Sequence, residues 1–365
     1  MSPSALRRQV GQLLIAGFNG HDIPVELKAI AREFGLGGVI LFGRNVVEPE
    51  QVAHLSYEAA RLTPDSPAWV SVDQEGGRVA RLKAPFTEWP PMATLGRSGD
   101  ERLAERFARG LASELRAVGI TLDYAPVLDV HTNPQNAVIG DRAISENADE
   151  VGRLGAVIVR AMQDEGLAAC GKHFPGHGDT IADSHLELPL VEHAPERLRE
   201  VEFVPFKAAI DAGVAAIMTA HVLVPSLDEQ QPATLSRRIV TGLLRGELGF
   251  EGLIVSDDLE MKAIAADRSV PDAAVLAIAA GCDVVLACGS DHHVQAAALE
   301  ALVHAVEEER LPAARVEDAL KRQQRAKERF LAAPAAVRPA NRRHLEGTLG
   351  TAAHRAIADD MARFV

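Results

Sequence analysis

Residues 252–258 read GLIVSDD: three aliphatic residues in a row, then a serine and two carboxylates. An apolar run that does not alternate with polar residues is what a strand covered on both faces looks like, as in a parallel sheet wrapped by helices. Seven more runs share this character: LLIAGF (13–18), GGVILF (37–42), AWVSVD (68–73), TLDYAPVLDV (121–130), AACGKHF (168–174), AAIMTAH (215–221) and CDVVLAC (282–288). Amphipathic stretches separate them. ERLAERFARGLASELRAVG (101–119) ends at Gly119 as a helix C-cap would, and SVPDAAVLAIAAG (269–281) is of the same kind. Strand then helix, eight times over with right-handed crossovers, predicts an α/β fold of the (β/α)8 barrel type. The competing arrangement is an open doubly wound sheet, but GFNGHD (17–22), after the first run, is not a G-x-G-x-x-G phosphate loop.

One barrel is expected over residues 1–330. The Pro- and Ala-rich AAPAAVRPANRRHLEGTLG (332–350) and the helix-like TAAHRAIADDMARFV (351–365) then make a C-terminal extension, 331–365, packed on the barrel rather than a second domain. Two connections are long, 74–120 and 175–214, and long connections inside a compact domain tend to be functional.

The formal net charge of −13 argues against a nucleic-acid partner, since phosphate neutralisation needs clustered Lys and Arg. No stretch approaches the roughly 18 to 20 apolar residues of a membrane span. After the two arginines of MSPSALRRQV comes only LLIAGF, too short for a secretory signal. Cys170, Cys282 and Cys288 lie within apolar runs and read as buried reduced thiols. A cytoplasmic monomer is expected, with neither a nucleic-acid nor a membrane partner. Aromatic residues are only 4% of the chain, so there is little material for sugar-stacking platforms; if the ligand is a saccharide, it is a short one held by polar groups.

The polar residues fall at the ends of the runs. Run three ends in Asp73, run four in Asp129, run five in Lys172 and His173, run six in His221 and run seven in Asp257 and Asp258. In a barrel, the C-terminal ends of the strands form the face that carries the active site. A single charged strand end is as well explained by a helix N-terminus; five consecutive ones are better explained by a polar pocket. Asp257 could serve there as nucleophile, base or metal ligand. Lys172, Arg81 and Arg142 supply donors suited to ligand hydroxyl and acyl oxygens.

The stretch KHFPGHGDTIADSH (172–185) continues run five into a Pro- and Gly-containing loop without helical period. Asp183 and His185 lie two residues apart, so in an extended segment they point the same way. The carboxylate can then fix the imidazole tautomer and leave the other ring nitrogen to transfer a proton. His173, His177, Asp179, Asp183 and His185 are also competent metal ligands, but no H-E-x-x-H or comparable spacing is present, and no metal is expected. His177 and Asp179 are read as shaping the loop, His193 as solvent-facing, and Asp258 as the cap of the following helix. Arg78 could brace its loop or touch a ligand.

These segments resemble glycoside hydrolase family 3, and within it the bacterial β-N-acetylglucosaminidases of cell-wall recycling. The resemblance runs from about residue 8 to at least 290. It is carried by GGVILFGRN (37–45), VDQEGGRVARL (72–82), NAVIGDRAIS (136–145), KHFPGHGDTIADSH and IVSDDLEM (254–261). KHFPGHGDT with DSH is the most specific of them. The resemblance implies a (β/α)8 barrel and makes Asp257 the nucleophile, His185 the acid/base and Asp183 its partner. It implies that Asp73, Arg81, Arg142, Lys172 and His173 hold the sugar, with His221 and Asp129 near the pocket. It further implies an exo-acting retaining hydrolase, without cofactor, that removes terminal β-linked N-acetylglucosamine from saccharides such as GlcNAc–anhydro-muramic acid, with or without peptide. Three other readings stay open at this level: a phosphorylase using phosphate as acceptor, a sugar-binding protein without turnover, and a metal-dependent hydrolase.

Overall fold

Eight parallel strands close into a barrel in sequence order, with β8 hydrogen-bonded back to β1. They are β1 (Leu14–Ala16), β2 (Gly38–Leu41), β3 (Trp69–Val72), β4 (Leu122–Asp123), β5 (Ala168–Phe174), β6 (Ala216–Thr219), β7 (Leu253–Asp258) and β8 (Val284–Ala287). The computed structural model describes residues 3–63, 66–180, 184, 188–331 and 339–365. Each of the eight apolar runs supplies one strand, so the (β/α)8 fold expected from the sequence is the fold observed.

Every strand residue is buried except the last two of β7, Asp257 and Asp258. The runs look uniform but divide with period two. Ile15, Ile40, Trp69, Val255 and Leu286 fill the barrel, while Leu14, Val39, Val70, Ile254 and Val285 face the surrounding helices. The helix Ala313–Phe330 crosses the N-terminal end. There Gln323 Oε1 accepts the Trp69 indole N–H at 2.9 Å, and the Phe330 ring lies 6.5 Å from that of Trp69. The N-terminal end of the barrel interior is therefore plugged, and the interior opens at the C-terminal mouth.

Run four departs from the expected single strand over 121–130. Only Leu122 and Asp123 join the ladder with β3 and β5. Pro126 has no N–H to donate, and the chain rejoins β5 only through single bonds such as Leu128 N–H to Lys172 O, 2.6 Å. Leu128 takes the space left by two glycines: a Cβ at Gly155 or Gly171 would come within 2.6 or 2.5 Å of it. Asp129 therefore arrives on an irregular loop above β5 and not at a strand end.

The connection 74–120 contains the helix Glu101–Ala117, capped by Asp100, whose carboxylate accepts Arg102 N–H at 2.8 Å. Its buried Glu114 collects four donors: Thr87 N–H (2.9 Å), Thr87 hydroxyl (2.7 Å), Gly350 N–H (2.9 Å) and His354 Nδ1 (2.8 Å). Two of the four come from the segment beyond residue 330, so one carboxylate ties the helices Arg342–Thr348 and Ala352–Ala362 to the loop before Trp89. Removing it strands buried donors, each costing about 1–3 kcal/mol. We expect Glu114→Ala to lower unfolding free energy by about 3 kcal/mol in urea titrations, and Glu114→Gln, which keeps an acceptor, to lower it less. Among the described residues no helix is long and apolar enough to cross a membrane.

Candidate active site

At the barrel mouth is a cavity of about 200 Å³ lined by Asp73, Glu75, Arg81, Arg142, Lys172, His173, His177, Ser184 and Asp257, with Ile40, Phe42, Met218 and Leu286 among its apolar walls. It is smaller than the roughly 300–1,000 Å³ of a drug-sized ligand site, so it suits one small polar ring. Larger hollows of about 1,090 and 1,020 Å³ lie at the plugged end of the barrel and beside the C-terminal helices. Neither gathers strand-end carboxylates and cations as the mouth does.

All six sequence-predicted residues that fall in the described chain line this one cavity: Asp73, Arg81, Arg142, Lys172, His173 and Asp257. Asp183 and His185 lie outside the described residues. Ser184, between them, accepts Ala263 N–H on its carbonyl (3.2 Å), and its hydroxyl lies 3.2 Å from His177 Nε2.

The cations do not stand free. Lys172 Nζ lies 2.7 Å from Asp73 Oδ1 and 2.6 Å from Glu75 Oε1, and Arg142 grips Glu75 through two bonds of 2.8 and 2.9 Å. Glu75 was missed in the sequence. It is 1% exposed, and it is the centre of the cluster. Burial by itself would raise its pKa, but the charges of Lys172 and Arg142 outweigh that and hold it well below the usual glutamate range. Burial likewise opposes the charge on Lys172, and Asp73 and Glu75 overcome it, raising the ammonium pKa. The available signal was charge balance: Asp73 alone cannot compensate Lys172, Arg81 and Arg142 in an interior.

Arg81 is less committed. Its guanidinium is 3.7 Å from Asp73 Oδ2, and its buried Nε–H has no partner among the described residues. Its backbone is fixed by Gln74, whose side-chain oxygen accepts Arg81 N–H (2.7 Å) and Leu82 N–H (3.0 Å). Gly77 allows the tight return before it: at φ 55° its N–H reaches Trp89 O (2.8 Å), and a Cβ would meet Pro91 at 2.9 Å.

Asp129 takes three bonds: His173 Nδ1 at 2.7 Å, His173 N–H at 3.2 Å and His177 N–H at 2.7 Å. The first puts the proton of the His173 ring on Nδ1 and turns Nε2 toward the cavity. Burial favours the neutral form of Asp129, but the two histidines hold it ionised, with its pKa lowered. Asp257 accepts Asp258 N–H at 2.8 Å and keeps its other oxygen unbonded among the described residues. Burial again opposes ionisation; the charges of His221 and His173, with that N–H, win and lower its pKa. The result is a rigid, ionised carboxylate with one oxygen free in an enclosed cleft.

Three readings are corrected by the structure. Asp258 does not cap the next helix: the helix Lys262–Ala265 has Met261 at its N-cap, and Asp258 Oδ1 accepts Cys288 N–H (3.0 Å) and Glu260 N–H (3.1 Å), tying β7 to β8. Burial raises its pKa to about 6. His193 is not solvent-facing but half-buried, its Nε2 2.6 Å from Asp179 at the base of the motif loop. Asp129 acts from a loop, as above. Arg78 braces: it donates to the carbonyls of Ala137 and Val138 (2.8 and 2.7 Å) and lies 3.3 Å from Asp141. The three cysteines are free thiols and buried, as expected.

The chain is similar to known proteins in sequence and in structure. A β-hexosaminidase of Thiobacillus denitrificans is 43% identical over 259 residues, 69% of this chain and 71% of that protein. One of Stenotrophomonas maltophilia is 40% identical over 282 residues, covering 76% and 83%. Among solved structures, a glycoside hydrolase family 3 β-N-acetylglucosaminidase from Paenibacillus superposes with a TM-score of 0.93 at 44% identity, over 98% of this chain and 68% of that one. NagZ from Neisseria gonorrhoeae, in complex with N-trifluoroacetyl-D-glucosamine, gives 0.77 at 31% identity and covers 98% of both chains. The model of the glycosyl hydrolase family 3 N-terminal domain matches residues 5–326, nearly the whole barrel and its plugging helix, and the chain belongs to that family.

Proposed function

We propose that this protein is an exo-acting, retaining β-N-acetylglucosaminidase that releases terminal β-linked N-acetylglucosamine from cell-wall saccharides. The observation that carries the reading is Asp257: an ionised carboxylate with one free oxygen in a one-ring cavity whose opposite wall is the Asp73–Lys172–Glu75–Arg142 cluster. Asp257 attacks the anomeric carbon while His185, oriented by Asp183, protonates the leaving oxygen. Water then gives its proton to the same histidine and frees the sugar from Asp257. Asp73, Arg81 and the third N–H of Lys172 hold ring hydroxyls, and His173 Nε2 faces the same space. The small cavity supports removal of single terminal units. The names of the relatives support a GlcNAc-type glycon, and the resemblance to recycling enzymes supports an anhydro-muramyl aglycone.

The test is turnover of 4-nitrophenyl N-acetyl-β-glucosaminide beside the matching β-glucoside, with and without phosphate. Release of free N-acetylglucosamine from the acetamido substrate, at a rate indifferent to phosphate, is the expected result. A sugar 1-phosphate would name a phosphorylase instead, and no turnover of either glycoside would leave a binding protein.

A further inference from the structure

His221 stands two residues beyond the end of β6, where β6 pairs with β7 through Thr219 and Ser256, and is fully buried. Both ring nitrogens are engaged. Nε2 lies 2.9 Å from the backbone carbonyl of Asp258, an oxygen that can only accept, so Nε2 carries a proton. Nδ1 lies 2.8 Å from the Thr234 hydroxyl. That hydroxyl oxygen already accepts the Thr219 hydroxyl at 2.9 Å and has one proton to give, and 2.9 Å away is the carbonyl of Ala220, which has no other hydrogen bond among the described residues. A buried carbonyl left without a donor is costly. With the Thr234 proton on Ala220 O, the Thr234 oxygen accepts at Nδ1, and Nδ1 carries a proton as well.

We propose that His221 is held as a doubly protonated imidazolium behind Asp257, a positioning residue that keeps the attacking carboxylate ionised and makes it a good leaving group. The inference rests on the reading of Asp257 as nucleophile. In the second half-reaction the bond from Asp257 oxygen to the anomeric carbon breaks and its electron pair returns to that oxygen. Water forms the new bond to carbon and loses its proton to His185. A fixed cation beside the departing carboxylate favours this step. The other titratable groups around Asp257 among the described residues include Cys170, Lys172 and His173 on β5, His177 beyond it, Asp258 on β7 and Cys288 beyond β8, with Asp73 across the cavity. Among the charges acting on Asp257, that of His221 is the largest in lowering its pKa.

The direct test is nitrogen-15 NMR of the histidine rings in the intact wild-type protein from pH 6 to 8. Two protonated ring nitrogens on His221 throughout that range are expected; a single protonated nitrogen overturns the proposal. His221→Gln, which keeps a donor without the charge, should move the acid limb of kcat/KM upward by about one pH unit. It should also slow sugar release more than the first bond cleavage, so that a burst of nitrophenol appears. A folded His221→Gln protein with an unmoved acid limb would also overturn it, and if that variant does not fold, the wild-type spectrum decides. A neutral His221 in an enzyme that still forms a glycosyl adduct on Asp257 would refute this inference alone. An imidazolium without any such adduct would refute the nucleophile reading, and with it the role given to His221.

Discussion

Asp257→Asn is expected to lose hydrolysis of 4-nitrophenyl N-acetyl-β-glucosaminide by on the order of 10⁴-fold or more, the scale of loss when a covalent nucleophile is removed. The amide has the shape of the carboxylate and can still accept Asp258 N–H through its oxygen, so the fold has no reason to change. What disappears is the charge. The carboxylate is half-buried and yet held below its usual pKa of 3.8, so in the wild type it is ionised at neutral pH. A neutral amide in the same place cannot form the glycosyl bond, and it leaves the His221 and His173 side without its counter-charge. Thermal melting of the variant should stay close to wild type, or rise slightly as a half-buried charge is removed. A loss below tenfold, with the fold intact, would mean that another group attacks.

Glu75→Ala is expected to be the most destabilising change in the site. Lys172 and Arg142 would keep their buried positions and lose the carboxylate between them. Breaking a buried pair by removing one partner costs about 3–5 kcal/mol, a large part of the total stability of an ordinary domain. The measurement is the urea midpoint at neutral pH, with Glu75→Gln as the milder companion because it keeps the side chain's volume and one acceptor oxygen, while its NH2 turns a donor toward Lys172 or Arg142. Activity should fall by roughly 10²-fold as Lys172 and Arg142 lose their set positions. Because the folded pKa of Glu75 lies below its ordinary 4.5, its share of the stability is present above that pH and is lost as pH falls through the lowered value. The wild type should therefore lose stability on acidification below about pH 4.5 more steeply than Glu75→Gln does. Equal stability of wild type and Glu75→Ala would remove Glu75 from the centre of the cluster.

The barrel was legible because parallel strands buried on both faces leave uninterrupted apolar runs, and five consecutive runs carried a polar residue at one end. The mouth followed from the same runs: Asp73, Lys172, His173 and Asp257 line one cavity because they stand at the C-terminal ends of the alternate strands β3, β5 and β7. Glu75 was not legible from its own segment. VDQEGGRVARL shows a carboxylate before a glycine turn, and only the surplus of cations elsewhere calls for it. Asp129 was placed too simply, since Pro126 ends the ladder early and local apolarity hides the missing N–H. Asp258 and His193 were misread because a preceding Asp resembles a cap and a loop histidine resembles a surface one. Their true partners, Cys288 N–H and Asp179, lie 30 and 14 residues away. Local pattern finds elements and their ends; the pairing of charges across strands needs the closed barrel.

The most direct measurement is mass spectrometry of the wild-type protein after reaction with a 5-fluoro N-acetylglucosaminyl fluoride, which reacts quickly and releases slowly. The account predicts one added fluoroglycosyl unit, located by peptide mapping on Asp257 and absent from Asp257→Asn. An adduct on another residue, or steady turnover of the reagent with no adduct on any peptide, would contradict it.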